Sequence, residues 1–198
     1  MSNRRISAKS VPERDVSAKR TSLLSAFRRA RGGATAVEFA FVAIPFFMLL
    51  CGIMEVAMIF IASTTLENAT TQAARSIRTG QLQTSGTPDE ASFKKAICDQ
   101  MVWMASSCSA NLYIDVRTSN SFATLAPPAV ITGGAINPAA LTFAPGAPQQ
   151  ITVVRAFYRW PMIVPGLTGA MGNLGTATLL SSTAAFRTEP YATSGTLP

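Results

Sequence analysis

The stretch from Ala34 to Ala62 reads ATAVEFAFVAIPFFMLLCGIMEVAMIFIA and holds only two charges, Glu38 and Glu55. No other feature limits the chain as strongly. Phe39 through Met54 is sixteen uncharged residues, and Val56 through Ala62 adds seven more. Wound as a helix at about 1.5 Å per residue, Phe39 to Ala62 reaches roughly 36 Å, enough to cross a ~30 Å hydrocarbon core. A core helix of a soluble protein is the competing reading. It would have to be surrounded on every face, which a 198-residue chain with room for one modest domain does poorly.

The flanks set an expected orientation. Lys19, Arg20, Arg28, Arg29 and Arg31 precede the span, whereas only Arg75 and Arg78 follow it closely. The positive-inside bias therefore predicts a cytoplasmic N-terminus and an exported C-terminal portion. A secretory signal peptide has a shorter apolar core, ~7–15 residues, ending in a small-residue cleavage site. Ile61-Ala62-Ser63 is a weak site of that kind, and a lipoprotein signal would need a small residue where Leu50 precedes Cys51. The Arg- and Ser-rich, acid-poor start also fits an organelle transit peptide, a lesser alternative.

Composition narrows the function classes. There is no histidine, which removes Ser-His-Asp triads, Cys-His dyads and His-ligated metals. Residues 1–33 hold nine basic and two acidic residues and so carry the whole net charge of +7. The remaining body holds eight charges of each sign and is neutral, which argues against a nucleic-acid-binding face. The acids Asp89, Glu90, Asp99, Asp115 and Glu189 show no catalytic pairing, and neither Gly133-Gly134 nor Gly166-Leu167-Thr168-Gly169 forms a phosphate loop. We expect no enzyme activity and no cofactor.

The junction Arg28-Arg29-Ala30-Arg31-Gly32-Gly33-Ala34-Thr35-Ala36-Val37-Glu38-Phe39 runs from a basic leader through glycine into the apolar helix. It resembles a type IV prepilin processing site, most closely that of the TadE-like family of the Tad (tight adherence) pilus machinery. Gly52-Ile53-Met54-Glu55-Val56, Leu66-Glu67-Asn68-Ala69 and Ala73-Ala74-Arg75 resemble that family's helix continuation. Ala185-Phe186-Arg187-Thr188-Glu189-Pro190-Tyr191 resembles its terminal signature. The resemblance implies cleavage after Gly33 by a membrane prepilin peptidase, leaving Ala34 as the first residue and Glu38 as the fifth. It also implies other pilin or pseudopilin subunits and an inner-membrane assembly platform as partners, in a system used for adhesion. The leader is long, and Pro45 predicts a kink.

The spacing has its own physical sense. Glycine before a scissile bond lets extended backbone enter a narrow protease cleft. A glutamate one turn into an apolar helix is costly unless paired, and a new amine at Ala34 would lie one turn away. Ala36, Ala40 and Ala43 form a smooth strip for close helix approach. Glu55 lies about 25 Å along the axis from Glu38 and on another face. Solvation at the far interface and a lateral contact with a basic group on another subunit both fit it. Cys51, within the span, reads as an ordinary packing residue.

Beyond the span, Leu66, Ala69, Ala73 and Ile77 continue the helix, and Gly80 is a natural stop. A flexible Gln81–Gly86 link is expected, then a helix with Thr87 as N-cap, Pro88 at its first position and Glu90 closing a capping box. Phe93, Ile97, Met101 and Met104 form its buried stripe. Strands are expected at Asn111–Thr118, Gln150–Trp160 and Thr176–Arg187, with Pro161 and Pro165 ending the second. The Ala/Pro/Gly-rich Ser119–Gln149 reads as a loop with a short edge strand near Ala129–Ile131. Cys98 and Cys108, on the exported side, are expected to form a disulfide, provided the helix ends near Ser106-Ser107 and the chain turns back.

The expected architecture is α+β: a long N-terminal transmembrane helix continuing into a small pilin-like domain with an antiparallel sheet. The divisions are a leader at 1–33, the helix and its extension at 34–80, and an exported domain at 81–198. An unprocessed single-pass anchor carrying a periplasmic binding or scaffold domain is the alternative, and an adhesin in its own right a third.

Overall fold

The computed structural model describes residues 33–86, 88–164 and 172–191. The basic leader, Thr87, Pro165 and the Gly166–Gly169 run lie outside the described residues. The chain divides into two compact units between Phe47 and Met48.

Helix α1 spans Gly33–Arg78. In the first unit it is the N-terminal part of this helix that is described. Pro45 lies inside it, so the Phe41 carbonyl loses its usual N–H partner, yet the helix continues past it. In the second unit the helix changes character at Ala62. Ala62, Leu66, Ala69, Ala73 and Ile77, spaced three or four apart, are buried in the core, whereas most residues before them are not. Alanines along this stripe let the sheet approach closely, and Leu66 contributes the largest side chain, worth about 2 kcal/mol of burial. Helix α1 stops where Gly80 takes a left-handed φ of 77°.

One further turn, α2 (Gln81–Thr84), replaces the expected flexible link. Helix α3 (Glu90–Gln100) follows, and its N-cap is Asp89, whose carboxylate accepts the Ser92 N–H. The capping box expected at Thr87 and Glu90 is therefore corrected: the cap lies two residues later, with Glu90 in the first turn. The predicted stripe is present, with Phe93, Ile97, Met101 and Met104 all buried.

The helix ends at Gln100, not near Ser106-Ser107 as expected. Met101 leaves helical geometry at φ −90°, ψ 52°, a 3₁₀ turn covers Val102–Met104, and α4 (Ala105–Asn111) runs on to the sheet. The two serines sit inside α4. This earlier break is what brings Cys98 and Cys108 to a Cα separation of 5.6 Å, and the disulfide is formed.

Three strands make the main sheet in the order β1-β4-β5, antiparallel throughout: β1 (Leu112–Ser119), β4 (Ile151–Pro161) and β5 (Ala177–Arg187). The edge-strand segment is a separate two-residue hairpin, β2 (Ile131–Thr132) with β3 (Ala135–Ile136). Leu112, Ile114 and Val116 from β1, and Val154, Ala156, Tyr158 and Trp160 from β4, turn inward onto α1 and α3. Contacts at both ends align the sheet with the helix. The segment after β4 meets Glu55, and just beyond β5 the Glu189 N–H donates to the Arg78 carbonyl at 2.8 Å. Residues 55 to 78 of α1 cover about 35 Å, and eleven strand residues cover about the same. The protein is thus α+β, a long apolar helix running into a small antiparallel domain.

Candidate functional site

Five groups of residues bear on function, four of them along α1 and one on the sheet. At its start, Gly33 opens the helix. Among the described residues nothing lies within 4 Å of where a Cβ on Gly33 would sit. Glu38 and Phe39 are exposed, as are Ala36 and Ala40, and Ala43 is partly covered. Glu38 makes no ion pair among the described residues.

From Val37 to Ile61 the helix leaves most of its large apolar side chains uncovered, Phe39 and Phe41 by about three-quarters of their surface at 71% and 76%, while Met58 and Ile59 pack against the core. The core-helix alternative requires burial of this segment by the chain, and the described residues do not supply it. By length and composition α1 is long and apolar enough to cross a membrane. Cys51, the one free cysteine among the described residues, is exposed within this segment.

Glu55 is the residue whose role the sequence misassigned. It is only 2% exposed, and its two carboxylate oxygens accept the backbone N–H groups of Ile163 and Val164 at 2.9 and 2.8 Å. Neither interfacial solvation nor a lateral contact describes it. The charge is spent inside the chain, clamping the β4–β5 connection onto the helix. Two N–H donors to one carboxylate are strong bonds, and they resolve the cost of a buried charge and of two unpaired amides at once.

Asp115 is the second buried acid, fully so, on the outward side of β1. Arg155, its register partner on β4, donates from Nε and Nη2 to Oδ2 at 3.0 and 2.7 Å. Arg117 Nε donates to both oxygens, and the Thr142 N–H donates to Oδ1 at 2.9 Å. Arg117 also reaches the Ala140 carbonyl at 2.7 Å and Arg155 the Pro128 carbonyl at 3.2 Å. The cluster pins the long loop over the sheet. Every lone pair is committed to a structural partner, so it offers no free acid for proton transfer. Opposite charges at Asp115 and Arg155, on strands with matching alternation, were the available signal for this pairing.

The terminal signature folds back onto the end of α1. Besides the Glu189–Arg78 backbone bond, Arg78 Nε lies 3.2 Å from the Glu189 carboxylate. The Thr188 hydroxyl donates to the Ala147 and Gln150 carbonyls, and the Tyr191 ring occupies the space beside Gly80. Burial pushes the Tyr191 hydroxyl above the usual tyrosine range. Because helix termini leave carbonyls unpaired, this segment acts as the cap of α1.

Among the described residues, no group of three His, Cys, Asp or Glu side chains converges as a metal site would require. The arrangement is built for packing and for holding a helix. No curated protein and no solved structure matches the chain. Residues 33–75, which begin at the junction glycine and end in the buried stripe of α1, match the family model described as TadE-like protein, and that segment is similar to the family.

Proposed function

We propose that this protein is a minor pilin or pseudopilin of a Tad-type pilus system, cut after Gly33 by a prepilin peptidase and held in the inner membrane by α1. Residues 1–33 are the cytoplasmic leader, 34–80 the spanning helix and its extension, and 81–198 the exported domain. The observation that carries this reading is the start of the TadE-like match at Gly33, where the basic leader meets the apolar helix. The uncovered surface from Val37 to Ile61 supports it, because a helix of that kind needs lipid or other helices around it. Cleavage frees an amine at Ala34 one helical turn from Glu38, on this helix or a neighbour's. Ala36, Ala40 and Ala43 then let helices pack closely in an assembly core. Other pilin subunits, the peptidase and the assembly platform are the partners, and the work is assembly, with adhesion as the pilus's use.

Gly33→Val tests the peptidase step. A Cβ at this position meets nothing among the described residues, so the substitution leaves the helix intact. In cells making the pilus apparatus, the wild-type chain should run as the shorter species and the variant should keep its leader. Full length for both proteins would leave an unprocessed membrane anchor as the better description, and the shorter length for both would move the cut away from Gly33.

A further inference from the structure

Two separate pieces of the domain meet α1 near the end of its apolar run, and both carry bare hydrophobic side chains. The 3₁₀ turn after α3 presents Val102 and Trp103, 79% and 48% exposed. The connection after β4 presents Ile163, 62% exposed. Each is tied to the helix. The Trp103 indole N–H reaches the Thr65 hydroxyl at 3.5 Å and its ring stacks edge-on with Trp160, while the amides of Ile163 and Val164 hold Glu55. Glu55 and Thr65 are ten residues apart, about 15 Å of helix. They bracket Ala62, where the apolar sequence ends.

We propose that Val102, Trp103 and Ile163 form a foot that rests in the lipid headgroup boundary of the bilayer, at the C-terminal end of the span. This rests on the reading of α1 as membrane-spanning. Irregular backbone at that depth is tolerated only when its N–H groups have partners, and the Glu55 carboxylate supplies them. The loop in turn shields the carboxylate from lipid. Tryptophan and neighbouring apolar groups favour this boundary, where a ring can be dry and its N–H still bonded. Continuity with the uncovered surface of α1 selects lipid as the occupant. The foot fixes the height and tilt of the domain above the membrane, which a single helix alone leaves free.

Phe122 is the internal contrast, equally exposed at 62%. It follows Ser119, which pairs with Ile151, itself paired with Arg187 beside the Arg78 end of α1. It therefore lies at the opposite end of the sheet and should meet water.

Spin labels test this in the full-length protein, in liposomes of phosphatidylethanolamine and phosphatidylglycerol. Native Cys51 reports the span. Val102→Cys, Ile163→Cys and Phe122→Cys are made with Cys51→Ser, leaving Cys98–Cys108 oxidised. The ratio of oxygen to water-soluble nickel collisions at 102 and 163 should exceed that at 122 by about threefold and stay below that at Cys51, which lies near the middle of the span. Ratios at 102 and 163 equal to that at 122, with Cys51 still lipid-shielded, would overturn the foot and leave the span standing. A water-like ratio at Cys51 as well would remove both. Labels at 102 and 163 shielded from both colliders would overturn it in favour of a second copy covering the face.

Discussion

Val37–Ile61 and Ala62–Ile77 belong to one helix, but the first carries fifteen large apolar side chains on its surface while the second buries mostly alanine, with Leu66, Thr70 and Ile77. In water the order would be reversed, since burial follows apolar area. The two segments were therefore shaped for different surroundings. The second packs against a sheet of its own chain, and small side chains there bring backbone close to backbone. The first has no such partner among the described residues and is suited to lipid and to neighbouring helices.

Substitutions that act on one segment and spare the other can break this contrast. Leu66→Ala should cost about 2–5 kcal/mol in denaturant unfolding of the detergent-solubilised protein, as a large core truncation does. Leu50→Ala should change the same measurement by no more than about 0.5 kcal/mol. Equal costs would mean that the chain itself covers the first segment. Replacing Cys98 and Cys108 together by serine should remove about 3 kcal/mol by the chain-entropy estimate, without altering detergent-resistant helicity of the first segment by circular dichroism.

The two glutamates sharpen the comparison further. Glu55→Gln should cost about 2 kcal/mol, because one amide loses an ionic acceptor. Glu38→Gln should leave domain unfolding unchanged and act on assembly alone. The smallest effect belongs to Asp89. The Ser92 backbone N–H, followed by that of Ala91, holds its carboxyl below the ordinary 3.8. Its folded value being lowered, its contribution is complete above 3.8 and is lost as pH falls through the lower folded value. Asp89→Asn should therefore flatten a slight acid-side fall in Tm and change little at neutral pH.

What the sequence made legible was what depends on neighbours in the chain. The stripe Phe93, Ile97, Met101, Met104 is set by the helix period and is buried as expected, and the expected first strand buries Leu112, Ile114 and Val116 at the strand period. The disulfide was legible, but its turn was misplaced, since Met101 breaks the helix with no glycine or proline to announce it. The role of Glu55 was hidden for a different reason. Its partners are backbone amides more than a hundred residues away, and an N–H group has no letter in the sequence. Asp115 fell between these cases, because its partner Arg155 is visible only once strand register is known.

The pilin-like assignment stands most directly on the first residue of the mature chain. Mass spectrometry of the protein extracted from membranes of cells with an active pilus apparatus should find Ala34 at the N-terminus. Met1 or Ser2 in that position would contradict it.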